Sequence, residues 1–483
     1  MKFNKVITTD VFISNKKLLI IYTMLLAVVF NLLPCLGMAA TVTTIQLTNT
    51  DTPIISYGYS DNGEHIVFYT TADLLGENPS KNEQLYYIQA DGSGLRQLTS
   101  FINQEQIHGL LISADGSHVV TRIYQNSLTS ILSINLSNDS HTWLTSPMSG
   151  SIGINAISPD GEYIIYEIRS SQITVHYIET DGGNYRQLPG YSRSFAYVSA
   201  DASTYVTSWY SRITAVDVLG TRGWKDNTRT VLEWAYDADT YIQANGISDD
   251  GNKIAFYTNY DFDNGIAGTY RHIYLVNTDG TNFTRVTDSN AVGQSEFPYY
   301  MKGAEDVIFS SRASLVQANP DSSSDIYIYN IPSASLNQLT NFDDGNTSLQ
   351  YHESENRNRV VYSRASPLGG YDTVIKNMDG TNEVVVNSAS RWYGGTLSVE
   401  GNAFVYLSEK DPLGTNPDNS LELFIRCESA SNVDNACATL TTEINDTVSD
   451  GGSGSTSVII VFFLWLAALQ RIIYKKTAMW KNE

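Results

Sequence analysis

The residue types that could do chemistry in this 483-residue chain are few and scattered. Seven histidines, His65, His108, His118, His141, His176, His272 and His352, show no metal-ligand spacing, and only a fold that gathers distant segments could make them a site. His352-Glu-Ser-Glu-Asn356 opens like a zinc-peptidase motif but lacks the second His that the metal needs one helical turn on. Asp261-Phe-Asp-Asn-Gly265 alternates oxygen donors as calcium prefers, without the rest of an EF-hand loop. Asp261 and Asp263 are therefore the metal candidates and calcium the one cofactor in view, against the plainer alternative of a solvated loop. The nucleophile elbow G-x-S-x-G is missing, since Gly451-Gly-Ser-Gly-Ser455 fails at its last position, and there is no Gly-rich phosphate loop and no C-x-x-C. Cys427 and Cys437 flank a Ser/Asn-rich stretch and would pair as a disulfide in an oxidising compartment, a catalytic cysteine being the weaker alternative. The segment between Cys427 and Gly451 is far shorter than the roughly 100–200 residues of a hydrolase domain. Enzymatic activity is disfavoured.

The segments around these residues say where the chain goes. Asp and Glu number 51 against 30 Lys and Arg, a net charge of −21 carried by the middle of the chain because both ends are basic. Such a body is repelled by phosphate backbones, so nucleic acid is excluded as a partner. Lys16-Lys17, the apolar run Leu18 to Met38 and the small residues Ala39-Ala40 form a signal peptide over residues 1–40, or else an uncleaved anchor. At the other end a Ser/Gly/Asn-rich linker, 428–457, precedes an apolar helix, 458–474, and a basic cytoplasmic tail, 475–483. Gly451, Gly452 and Gly454, the helix and its following Arg and Lys resemble the Gly-Gly C-terminal sorting tag of Gram-negative bacteria. That resemblance implies cutting by a rhomboid-type protease and release or attachment of the body at the cell surface; the tail Thr477 to Glu483 departs from it, and a permanent single-span anchor is the alternative. Both ends place the body outside the inner membrane, in the periplasm or at the cell surface.

The body is a repeat array. Ala90-Asp-Gly-Ser-Gly-Leu-Arg-Gln-Leu-Thr99 recurs as Thr180-Asp-Gly-Gly-Asn-Tyr-Arg-Gln-Leu-Pro189, Thr278-Asp-Gly-Thr-Asn-Phe-Thr-Arg-Val-Thr287 and Met378-Asp-Gly-Thr-Asn-Glu-Val-Val-Val-Asn387. Weaker copies lie between them, as in Ser333-Ala-Ser-Leu-Asn-Gln-Leu-Thr340, so the period is about 45–50 residues, the size of a four-stranded propeller blade. A second landmark, Asp61-Asn-Gly63, Ser113-Ala-Asp-Gly116, Ser158-Pro-Asp-Gly161, Ser199-Ala-Asp201, Ser248-Asp-Asp-Gly251, the degenerate Lys302-Gly303 and Glu355-Asn356, and Val399-Glu-Gly401, precedes aromatic, β-branched runs such as His65 to Tyr69 and Lys253 to Tyr257. Eight landmarks predict eight four-stranded blades, with seven as the alternative. The last unit lacks its Gln-Leu-Thr strand, and that motif stands before the first unit in Thr43-Thr-Ile-Gln-Leu-Thr48, so an N-terminal strand is expected to close the ring.

Ser158-Pro-Asp-Gly161 with its aromatic strand, Asp325-Ile-Tyr-Ile-Tyr329 and Leu336-Asn-Gln-Leu-Thr340 resemble the TolB-type, WD-like β-propeller repeat of bacterial envelope proteins, over residues 41–427. The resemblance implies an all-β propeller. TolB itself has a further N-terminal domain, and here the leader runs straight into the repeats, so its envelope partner is not carried over. Long polar loops, Asp73 to Glu83, Tyr260 to Arg271, Ala313 to Ser324 and Lys410 to Ser420, all join second and third strands and share one face. Asn78-Pro79, Asn319-Pro320-Asp321 and Asn416-Pro417-Asp418 recur in three of them, as recognition loops or as turn chemistry. The expected function is a non-catalytic binding or scaffold module for an envelope or surface protein or glycan. The competing expectation is a metal-dependent lyase or hydrolase in the central funnel.

Overall fold

The repeated strand-and-turn units fold into eight four-stranded antiparallel sheets, the blades of a β-propeller. The computed structural model describes residues 42–428, apart from 171–172, 193–196, 210–211, 218–227, 234–239, 289–291, 302–305, 317–318, 320, 343–350, 354–358, 391–394 and 399–400. The expected leader, the linker beyond Glu428, Cys437, the Gly451–Gly454 region, the C-terminal helix and the tail lie outside the described residues. All eight blades belong to one compact unit beginning at Thr43.

Burial explains the composition of the strands. Second and third strands, such as His65–Thr70 and Gln84–Gln89 in blade 1 or Asp306–Ser311 and Asp325–Asn330 in blade 6, are buried along almost their whole length. A sheet packed on both faces needs continuous apolar strands rather than alternating ones. The core is accordingly divided into eight clusters, each wedged between two neighbouring blades. One of them joins Ile66, Phe68 and Tyr86 of blade 1 to Val405, Leu423 and Ile425 of blade 8. At about 1.5–3 kcal/mol for each buried large apolar side chain, these wedges hold the ring together.

The recurrent Gln-Leu-Thr is a latch. Thr99, Thr145, Thr287 and Thr340 stand just beyond their fourth strands, and each Oγ1 accepts the amide of a third-strand residue, Leu85, Ile131, Ile273 and Ile326, at 2.9, 2.9, 3.0 and 2.9 Å. Blade 8 makes the same bond, from the Leu423 amide to Thr48 Oγ1 at 2.9 Å, with a threonine from the opposite end of the chain. The expected closure is thus present: Val42–Gln46 is the fourth strand beside Glu422–Glu428, Ala403–Ser408 and Thr396–Leu397. Glu422, fully buried, clamps the incoming segment by accepting from the Thr48 hydroxyl (2.5 Å), the Thr50 amide (2.7 Å), the Thr50 hydroxyl (2.8 Å) and the Ser420 hydroxyl (2.6 Å).

The Ser-x-Asp-Gly turns form a belt around one face. Ser113 donates to Asp115 (2.7 Å), which accepts the Ser117 amide (2.9 Å), while Ser113 Oγ accepts the His118 amide (3.0 Å). Successive turns are tied by backbone bonds, Asn62 amide to Ala114 carbonyl, Asp115 to Pro159 and Asp201 to Asp249, at 3.1, 3.1 and 3.4 Å. Gly116 is required twice over, since its φ is +73° and a Cβ there would lie 2.0 Å from the His65 ring of the preceding blade.

One segment departs from expectation. Tyr260 to Arg271, read from sequence as a loop, is a strand extension: Lys253–Asp261 and Ile266–Asn277 continue pairing through Tyr260↔Ala267 and Asp261↔Ile266 beyond a bulge, turning at 262–265. Its polar residues reflect solvent around a protruding hairpin, not an absence of strand.

Candidate functional site

Antiparallel order puts the turns from first to second and from third to fourth strand on one face of the disc, and the second-to-third loops with the inter-blade connections on the other. First strands of neighbouring blades lie against one another around the axis, for example Ile54–Tyr59 against Gln106–Ile112 and Ile242–Ile247 against Ser295–Tyr300. They wall the central channel. Among the described residues, five of them are bulged: between Ile54 and Ser56, His108 and Leu110, Ile154 and Ala156, Ala244 and Gly246, and Glu296 and Tyr299. A bulge re-aims side chains and bends its strand.

At the loop-face mouth an arc of polar and aromatic groups runs over blades 2 to 6. On blades 4 to 6 it is built around Gln243. Gln243 Oε1 accepts the hydroxyls of Tyr241 (2.5 Å) and Tyr257 (3.0 Å), and its Nε2 donates to Tyr197 (3.1 Å). The Tyr241 ring stands 5.7 Å from that of Tyr257, which meets Phe297 edge-on at 5.7 Å, and the Arg271 guanidinium lies 4.4 Å from the Tyr241 centroid while pairing with Glu296. Burial pushes the Tyr197 and Tyr257 hydroxyls above the ordinary phenol range, so both stay protonated. Tyr257 is packed away, but Tyr241, Phe297 and Tyr299 remain 41%, 41% and 38% exposed. Phe297 holds φ at +54°, a left-handed conformation costly for an aromatic residue.

On blades 2 and 3 the arc is cationic. Arg122 Nε donates to the His108 carbonyl (2.9 Å) and Nη1 to the Ile152 carbonyl (2.5 Å), while Arg169 pairs with the fully buried Glu167 at 3.1 Å. Glu167 also accepts from Asn155 Nδ2 at 3.1 Å. Burial, and then the Arg169 charge, lower the Arg122 pKa from its ordinary value. The arrangement offers exposed ring faces, amides and guanidinium groups. That is equipment for recognition.

The residues singled out from sequence fall elsewhere. Arg285 spans the metal candidates, Nη2 to Asp261 at 2.9 Å and Nη1 to Asp263 at 2.7 Å, and so supplies the positive charge a cation would bring. Among the described residues no three His, Cys, Asp or Glu gather as metal ligands. His65 and His118 pack under the glycine turns of the next blades, His141 Nε2 donates to the Leu98 carbonyl at 2.7 Å, and His176 stacks between Tyr166 and Tyr185. His272 is buried beside Thr287, His108 flanks Tyr124 on the mouth, and His352 lies in the strand Tyr351–Glu353 rather than a helix. The Asn-Pro asparagines are structural pins: Asn78, Asn319 and Asn416 are buried, and Nδ2 of each bonds a carbonyl four residues on, Asn82, Ser323 and Ser420, at 2.8, 2.8 and 2.9 Å. Cys427 is disulfide-bonded. The mouth residues went unnoticed in the sequence, although Gly109, Gly153 and Pro298 inside strand patterns are the marks of a bulge or a close approach.

No protein-family model matches this sequence, and no curated protein matches it as a relative. Among solved structures, the chain is similar to an oligogalacturonate lyase in complex with manganese, at 11% identity and a TM-score of 0.44, covering 82% of this chain and 98% of that one. It is similar also to the dipeptidyl peptidase 4 of Porphyromonas gingivalis (13%, TM-score 0.49, 74% of this chain and 58% of that). A third likeness is to the β-propeller domain of the Trilobed protease from Pyrococcus furiosus (12%, TM-score 0.44, 71% and 98%). At such identities each likeness is one of architecture alone.

Proposed function

We propose that this chain is an exported envelope propeller that binds a glycan, without turning it over, at the loop-face mouth of its channel. The observation that carries this is Phe297: an aromatic ring in a strained left-handed conformation, left exposed beside Tyr241 and Tyr299. Strain of order 1–3 kcal/mol spent on holding this ring partly open to water, with its edge contact to Tyr257, has a purpose if a ligand covers the open part. Sugar rings present C–H faces that stack on aromatic rings and hydroxyls that bond amides and guanidinium groups, and Gln243 and Arg271 border this platform. Export rests on the leader and the C-terminal segment, and anchoring or release at the surface follows from the same features.

The test is a binding titration of the purified full chain against a panel of neutral and acidic oligosaccharides, wild type beside Tyr241→Ala and Phe297→Ala. Saturable binding to a saccharide, weakened about tenfold or more by either variant, is expected. Saccharide binding indifferent to both variants, or capture of a protein with no affinity for any saccharide, overturns it. The competing lyase or hydrolase reading predicts that the bound oligosaccharide is shortened, which product length in the same samples reveals.

A further inference from the structure

Two guanidinium groups converge on one peptide of the channel wall. Arg122, from the second strand of blade 2 (His118–Gln125), reaches across to blade 3 and donates to the Ile152 carbonyl. Arg169 ends the second strand of blade 3 (Tyr163–Arg169) and lies over the next residue, where a Cβ on Gly153 would stand 2.9 Å from its Nη2. Gly109, at φ +73° in the bulge of blade 2, clears the same kind of space beneath Arg122, its Cβ position being 3.3 Å from Nη2. Bare glycines in two successive first strands let both cationic heads come down onto the wall of the mouth.

The charges do not cancel. Arg169 is paired with Glu167, whereas the bonds of Arg122 go to backbone carbonyls, which leave its full charge in place. Arg271, at the other end of the arc, is neutralised by Glu296. Among the described residues, Arg122 thus carries a positive charge with no carboxylate partner at the blade 2–3 end of a mouth whose protein carries −21 overall. The Arg169 side chain is 32% accessible and Arg122 is half-buried, so a ligand group can reach both. Planar guanidinium groups match the two oxygens of a carboxylate.

We propose that Arg122 and Arg169 form an anion-reading subsite, so that the glycan held on the Tyr241–Phe297 platform is an acidic one whose uronic carboxylate meets these two side chains. This rests on the glycan reading above. Stacking at blades 5 and 6 and charge at blades 2 and 3 would then fix which end of the saccharide lies where.

The experiment compares a uronic-acid oligosaccharide with its carboxyl-reduced, neutral counterpart, titrated into the full chain. Wild type is expected to prefer the acidic probe by about tenfold, and the preference to shrink as salt screens the contact. In Arg122→Gln and Arg169→Gln the ratio of acidic to neutral affinity falls toward one, while Arg122→Lys, which keeps the charge but loses the fork, retains part of it. Melting temperature and far-ultraviolet dichroism verify the fold of each variant, and should Arg122→Gln fail to fold, Arg169→Gln and Arg122→Lys still give the ratio. Equal affinity of wild type for the two probes, or a preference untouched by the arginine variants, overturns the subsite and leaves glycan binding standing. Failure of wild type to bind either probe overturns both.

Discussion

Asp261 shows how one residue can resemble a metal ligand in sequence and be something else in the fold. Burial opposes its ionisation, but hydrogen bonds from Asn264 and the Asp263 amide, joined by Arg285, outweigh it and hold its pKa down to about 2. A depressed folded pKa means that the contribution to stability is complete above the unfolded value of 3.8 and is lost as pH falls through about 2. Arg285→Gln removes one of these causes, so the Asp261 carboxyl should titrate at higher pH, still short of 3.8 because Asn264 and the amide remain; carbon-13 NMR of the side chain reads it. An unmoved titration would mean that Arg285 is a bystander. The alternation of Asp and Asn was legible in the sequence, but the arginine 24 residues on was not, because only the pairing of third and fourth strands brings it under the hairpin.

Strands, turns and latches were the most legible parts, since each is decided by chemistry within a few residues. Asp-Gly and Ser-x-Asp-Gly announce turns that need positive φ and a side-chain acceptor, and the buried runs between them announce strands. The displaced Gln-Leu-Thr before the first unit even revealed the closing strand. Threonine is needed there because its hydroxyl both donates to Glu422 and accepts from the Leu423 amide. Thr48→Val removes both bonds and leaves a buried amide and a buried carboxylate short of a partner, which should cost about 1–3 kcal/mol in denaturant unfolding. Thr99→Val, within a blade whose four strands are contiguous in the chain, should show a comparable equilibrium loss but less proteolysis of the N-terminal segment, since no seam is loosened. Equal protease sensitivity of the two variants would contradict the closure role. The protruding Tyr260 to Arg271 hairpin was misread for the converse reason: with most of it open to solvent beyond Tyr260, its strands carry no continuous apolar run.

At the scale of the whole ring, four histidines are at least partly withdrawn from water by its packing. Burial above all lowers the pKa of His65, His118, His176 and His272 from 6.5. The unfolded chain therefore binds more protons than the folded ring below about pH 6.5, so stability is complete above that pH and declines as pH falls toward the folded values. Carboxylates protonate mostly near pH 4, leaving the interval from about 7 to 5 to histidine. Melting temperature should fall across that interval, and fall less in His118→Gln, relative to its own value at pH 7; a flat profile in wild type would refute the assignment. The mouth itself was hidden from sequence because its residues come from five blades, with no spacing that relates Arg122 to Gln243 or Phe297. Its function is the claim on which most depends. The most direct measurement is saturation transfer by NMR, irradiating the aromatic protons of the full chain in the presence of an acidic oligosaccharide. Transfer to the C–H protons of the sugar rings, lost in a Tyr241→Ala, Phe297→Ala double variant of unchanged fold, is the result predicted; transfer that persists undiminished in that variant would place the ligand elsewhere and contradict the account.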